Sequence, residues 1–375
     1  MSVSISPGVT AVTPSALSSA LWRAVQPSPA EEASARKRLH GKALVILGLF
    51  AISFATFVLS NWPIPVRLAG GVGLVVSLIA VGTGIMHDAN HGAFSRLRWL
   101  NATLAYSSDA LGASSWLWRI QHNTLHHGNT NVVGYDSDLA LGPLARLAPS
   151  QPWQPWYRAQ HVYLWPLYGF LALKNLLVSD VVSLVTKRME GRPIRRPVTA
   201  GVVARVVAGK LFHLGWAVLL PLVFNSWWVV LTAYLVCSWA VGFVLAVTFQ
   251  LAHCTAQSAF ADADAPRRGD DFTLHQLRTT CDVDSSPVLG GVFRWLVGGL
   301  DHQIEHHLGP RLPHTAYAAV ARRFREQCRV HGVEYHVHAG VWAAVRAHGR
   351  WLREMGRRTE TAGALSSASW VNEPA

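Results

Sequence analysis

The chain has 375 residues, half of them hydrophobic and only 14% charged, with 16 tryptophans and a mean hydropathy of +0.22. This composition excludes an ordinary soluble enzyme, whose apolar runs are no longer than core helices, and points to a membrane protein. The formal charge of +12 suits a basic membrane flank or an acidic partner, and because no groove-reading module accompanies it, nucleic acid is not an expected partner.

Residues 1–40 are rich in Ser, Ala and Pro and lack the charged and apolar regions of a cleaved signal, so a disordered cytoplasmic segment is expected there. Ala43 to Ser60 and Leu68 to Met86 carry no charge, and each is about long enough to cross a hydrocarbon core of roughly 30 Å. The second runs straight into His87. Asn101 to Trp118 is apolar but interrupted by Ser107, Ser108 and Asp109, and Val162 to Val185 carries Lys174 and Asp180. Both suit helices lying in the membrane interface, or a re-entrant insertion. Leu211 to Ala252 again holds no charged residue and reads as two spans broken near Phe224, Asn225 and Ser226. The spans are therefore expected at about 43–60, 68–86, 207–224 and 227–252.

Arg36, Lys37, Arg38 and Lys42 precede the first span, and the region between the second and third is basic, whereas the two outer turns share only Arg67. The positive-inside rule then puts both termini and the central region in the cytoplasm. From His314 to Met355 the pattern is that of a soluble helical segment, with Tyr317, Val320, Phe324 and Cys328 recurring every three or four positions and VEYHVH as a short strand. Residues 356–375 are expected to be a disordered tail. The fold class that follows is an all-α integral membrane protein over residues 41–355, with four transmembrane helices in two hairpins and a cytoplasmic helical cap.

That cap and the inner ends of the spans carry three histidine clusters: His87 and His91, then His122, His126 and His127, then His302, His306 and His307. On a helix an i,i+4 pair shares one face, while the adjacent extra histidine points roughly 100° round. A lone pair also occurs on solvated faces; three clusters together point to metal binding. Neutral imidazole suits iron, copper, zinc and nickel, and so many ligands exceed one four-coordinate zinc, so two metals are expected. His253, at the end of the fourth span, is on composition alone either interfacial or a ligand. The four cysteines form no CxxC pair, which favours a reduced setting without disulfides.

The order H-x-x-x-H, H-x-x-x-H-H and Q-x-x-H-H among four such spans resembles the membrane-bound fatty acyl desaturase family, most closely its front-end branch and the cyanobacterial-type delta-6 acyl-lipid enzymes without a fused cytochrome. GIMHDANHGAFS, SSWLWRIQHNTLHHGNTN, VYLWPLYGF, HQLRTT, GGLDHQIEHHLGP and RWLREMG carry the resemblance over about Leu68 to Met355. It implies a di-iron centre held by His87, His91, His122, His126, His127, His253, His306 and His307, and a narrow tunnel for an acyl chain. Helix spacing allows either His302 to pair with His306 or Gln303 with His307; the branch commonly has Gln at the latter position, so Gln303 is expected to line the site and His302 is kept as a further candidate ligand. Asp88 and Glu305 are candidate partners that fix imidazole tautomers, or simply helix-capping or solvated acids.

The resemblance further implies O2 as co-substrate, electrons from an external ferredoxin-type donor, and an acyl substrate carried on a membrane lipid, on CoA or on acyl carrier protein, in a bacterial-type inner membrane. A related acetylenase or hydroxylase shares these boxes. A non-enzymatic metal-binding membrane protein is the alternative from another class.

Overall fold

The computed structural model describes residues 13–262, 272–284 and 289–358. Helix α1 (Pro14–Ala24) leads into α2 (Pro29–Leu59), whose start is set by a capping box. Glu31 N–H donates to Ser28 Oγ at 3.3 Å, Ser28 N–H donates to the Glu31 carboxylate at 2.7 Å, and Pro29 occupies the first helical position. The disorder expected over residues 1–40 is thus corrected wherever the chain is described. Leu21 and Val25 are buried with Leu277, Ile304, Val320 and Phe324, and Leu39 with Ala80 and Ile85. A Ser- and Ala-rich composition hid a helix whose sparse apolar positions find a core. Residues 1–12 and 359–375, the rest of the expected disordered ends, lie outside the described residues.

Among the described residues, four helices are long and apolar enough to cross a membrane: α2, α3 (Ile64–His91), α9 (Ala200–Leu222) and α10 (Trp227–His253). The shortest has 23 residues, about 34 Å at the usual rise. Leu44, Ile52, Val72, Leu211, Phe212 and Val236 are exposed along them. In water such a belt would aggregate; against lipid it is the matching surface. The two hairpins are joined at the turns between their spans, where Arg67 donates to Phe57 O and to Asn225 Oδ1, and Asn225 Nδ2 donates to Val58 O at 2.9 Å.

Between the hairpins lie α4 (Arg98–Ala105), α5 (Ser107–Ala110), α6 (Ser115–Trp118), α7 (Pro155–Tyr168) and α8 (Leu171–Thr186). The last two are bent by 77° and together would pass for one broken span. The bend packs tightly on α10: a Cβ at Gly169 would lie 2.1 Å from the Trp239 ring, and one at Gly242 would lie 2.4 Å from Gly169 O. Gly242→Ala is therefore expected to force two backbones apart at a cost of about 1–3 kcal/mol, read as a lower midpoint of thermal unfolding in lipid nanodiscs.

A hairpin of β1 (Arg188–Met189) and β2 (Arg192–Pro193) precedes α9. The chain after α10 forms the cap: α11 (Phe272–Thr279), β3 (Asp282–Val283), α12 (Leu289–Leu296), α13 (Gln303–Leu308), α14 (Tyr317–Val330), β4 (Val337–His338) and α15 (Val341–Met355). Strand β4, parallel to β3, falls in the segment read as a short strand.

Candidate metal centre

Local backbone geometry brings the histidines together. Span α3 is π-helical over Val81–Met86, carries His87 to His91, and stops at Gly92 with φ 77°. After α6 the chain is π-helical over Arg119–His126, so His127 N–H donates to His122 O at 3.0 Å. This corrects the α-helical spacing expected there: the wider π turn brings His127 back beside His122, with their Nε2 atoms 3.1 Å apart. The third cluster reaches the first because Gly298 and Gly299, both at positive φ, let the backbone before α13 lie on α3; a Cβ at Gly298 would sit 2.4 Å from Thr83 O.

The nitrogens form three overlapping groups, each with all ligand atoms within 4.8 Å of one another: His87, His91, His122 and His306; His126, His253 and His307; and His127, His306 and His307. Ring centroids of His87 and His306 lie 4.5 Å apart, and those of His253 and His307 4.8 Å apart. All eight side chains are buried. Their outer nitrogens are held where the inner ones are not. Asp136 Oδ1 accepts from His126 Nδ1 at 3.0 Å, Thr279 O accepts from His253 Nδ1 at 3.3 Å, and the Nδ1 atoms of His306 and His307 meet the hydroxyls of Tyr317 at 3.3 Å and Thr130 at 3.2 Å. In each of these four rings Nε2 is buried without a hydrogen-bond partner. A buried polar atom left so costs about 1–3 kcal/mol unless something binds it, and four such atoms facing two neighbouring groups have the form of a metal-ligand set.

Burial, reinforced by the neighbouring rings, holds His122, His127, His306 and His307 well below the usual histidine range, in the neutral form that ligates. His126 differs. Burial opposes its charge too, but the Asp136 and Asp138 carboxylates outweigh it and raise the ring to about 9. Without metal His126 is therefore protonated at neutral pH, and a metal must displace that proton. Metal uptake is expected to release one proton per chain from this ring at pH 7 and to tighten with rising pH until about 9, where the dependence levels off; titration in weakly buffered solution measures it.

The remaining residues of the boxes, and several other histidines, stand as follows. His302 is not helical (φ −110°, ψ 66°) and precedes α13, so the i,i+4 pair with His306 does not form; its Nδ1 lies 3.4 Å from Asp282 Oδ2. Gln303 lies beside His253, with both amide atoms buried. Glu305 does not hold an imidazole of the three groups but accepts from Tyr335 OH at 2.9 Å. Asp88 lies 3.7 Å from His87 Nδ1, and its other oxygen accepts from His314 Nδ1 at 2.9 Å, with Lys42 Nζ 3.0 Å beyond on His314 Nε2. His213 bonds Ala110 O and Tyr234 OH, His275 bonds Thr130 O, and His348 bonds Tyr168 OH and Cys254 O.

Sequence reasoning missed Asp136, Asp138, Thr130, Tyr317 and His314. The acidic pair ten and twelve residues after His126, in a segment otherwise poor in charge, was the one available signal.

A family model described as fatty acid desaturase matches residues 60–339. The chain is 32% identical over 331 residues to an sn-1 linoleoyl-lipid 6-desaturase of Arthrospira platensis, covering 86% of this chain and 87% of that one. It is also 32% identical to the enzyme of the same name from Synechocystis sp. (84% and 87% covered) and to an acyl-lipid (8-3)-desaturase of Physcomitrium patens (84% and 66% covered).

Proposed function

The chain belongs to the fatty acid desaturase family, and on that premise we propose that its buried histidines hold two irons with which it introduces a double bond into a membrane-borne acyl chain. The observation that carries the reading is the set of unpartnered inner nitrogens, each backed by an oxygen on its outer side. Eight buried imidazoles in overlapping groups fit two ions of borderline character. His87, His91, His122 and His306 would hold one, His126, His253 and His307 the other, with His127 between them and Gln303 lining the second. Iron bound there supplies the oxidising power to turn CH2–CH2 into CH=CH, consuming O2, two electrons and two protons and giving two waters.

The protein's own part is to hold a flexible alkyl chain and keep water away. A cavity, partly open at its surface, lies between the spans, lined by Phe57, Leu74, Trp216 and Val230 and reaching Leu78 and Leu111. Leu78 is nine residues before His87, about 14 Å along a helix. An apolar cavity at that depth suits the tail of an acyl chain. The relatives' activities, on linoleoyl-lipid and other acyl-lipids, favour an acyl-lipid over acyl-CoA or acyl carrier protein as its carrier. Arg322 and Arg325, exposed on α14, give the cap a positive surface suited to an acidic ferredoxin-type donor. The basic flanks support a cytoplasmic face for this cap and both termini, in a bacterial-type inner membrane.

Expression in a bacterium fed acyl chains of several lengths, with mass spectrometry of its lipids, tests the function. An O2-dependent new cis-alkene is expected. A hydroxylated or acetylenic product, or no product from iron-loaded protein supplied with electrons, would overturn it.

A further inference from the structure

A second set of buried ligand-type side chains stands beside the histidine groups. Asp282, His302 and Glu305 each offer an atom within 4.8 Å of the other two, and they are 3%, 9% and 0% exposed. They come from β3, from the residue before α13 and from α13 itself. Tyr335 completes the wall, its hydroxyl 2.6 Å from Asp282 Oδ2 and 2.9 Å from Glu305 Oε1. One hydroxyl has one proton, so it satisfies only one of the two carboxylates at a time.

Glu305 Oε2 is buried without a hydrogen-bond partner, while His302 turns Nδ1 to Asp282 Oδ2 at 3.4 Å and Nε2 toward Asp301 Oδ2 at 3.9 Å. No Lys or Arg among the described residues forms an ion pair with Asp282 or Glu305; Arg294 is bound to Asp301 instead. Two carboxylates out of water with a phenol between them repel each other and have lost their hydration. An imidazolium at His302 would balance one charge and leave the other. A divalent cation with a neutral His302 balances both; it would take His302 Nδ1, the nitrogen beside Asp282, and give the unpartnered Glu305 Oε2 a ligand.

We propose that Asp282, His302 and Glu305 form a third metal site, separate from the iron ligands, for a divalent cation of the zinc class. Mixed oxygen and nitrogen donors suit such an ion, and ligand distances of about 2.0–2.2 Å require the three side chains to close in by roughly half an ångström. Asp282 Oδ1 also accepts from Ile304 N at 3.0 Å, and Glu305 directly precedes His306. The cation therefore ties β3, the start of α13 and the strand-ward loop at Tyr335 into one unit that fixes the pitch at which α13 presents His306 and His307. This role rests on the iron reading; the existence of the site does not.

The test uses the full chain in lipid nanodiscs, loaded with iron, equilibrated with zinc and counted by plasma mass spectrometry. Three metals per chain are expected, two iron and one zinc. Asp282→Asn and His302→Phe each lower the total to two with iron unchanged, whereas His126→Ala lowers iron and leaves zinc in place, which separates this site from the iron reading. Zinc-edge absorption on the unaltered protein needs no variant and is expected to show an oxygen-rich shell with one imidazole. Total metal of two with zinc excluded, a histidine-rich zinc shell, or zinc retained by both variants would overturn the proposal.

Discussion

Replacing His306 by alanine is expected to lower turnover at least about 100-fold and to reduce bound iron from two per chain to one or fewer. His306 is the residue shared between the group made with His87, His91 and His122 and the group made with His127 and His307, so its loss unbalances both ends of the cluster. It also strands the Tyr317 hydroxyl, which lies 3.3 Å from its Nδ1, in a fully buried place. Tyr317→Phe is the companion experiment. It removes the outer contact, leaves the ligand, and is expected to cost between about 10- and 100-fold in metal affinity or activity. A His306→Ala protein that keeps two irons and turns over within about threefold of the parent would remove His306 from the ligand set. Iron analysis beside a product assay on the same preparation reads both quantities.

The second large effect is expected at Asp136. Its Oδ1 accepts from His126 Nδ1 at 3.0 Å and from Asp138 N at 2.9 Å, and its Oδ2 accepts from Asn131 N at 2.8 Å. The carboxylate is thus an acceptor on every side, fully buried, in a loop that encloses the second histidine cluster. Asp136→Asn turns one of those acceptors into a donor facing a donor. Metal affinity is expected to fall by about 10- to 100-fold, and most of the proton released on metal uptake at neutral pH is expected to disappear, because the nearer of the two charges that keep His126 protonated is gone. Asp138, 3.4 Å from the same nitrogen and partly exposed, should give a smaller change in both. Equal proton release from parent and Asp136→Asn would contradict the account of His126, whatever the activities.

The spans were readable because lipid imposes a simple requirement: twenty or so residues without charge, twice in each hairpin. Each helix nevertheless begins or ends beyond the uncharged run, since Arg36 to Lys42 continue α2 as a helix once its capping box at Ser28 has started it. The histidine boxes were readable as spacing, but spacing presumes an α-helix. The π turn between His122 and His127 depends on tertiary packing and leaves no periodic trace in the sequence, and His302 escapes the i,i+4 rule because the backbone before α13 is not helical. The partners of the imidazoles were the least readable. Thr130 meets His307 across 177 residues and Asp88 meets His314 across 226, and nothing local marks a threonine or an ordinary aspartate as the neighbour of a distant ring. Glu305 shows the converse: it stands inside the third box, yet its hydrogen bond goes to Tyr335.

Iron-edge X-ray absorption on purified enzyme that is turning over in lipid nanodiscs, with iron counted on the same sample, tests the arrangement most directly. Two irons per chain in a nitrogen-dominated shell with an iron neighbour is the expected result. Active protein with one iron or none, or with a shell made mainly of oxygen, would mean that these histidines converge for some other reason.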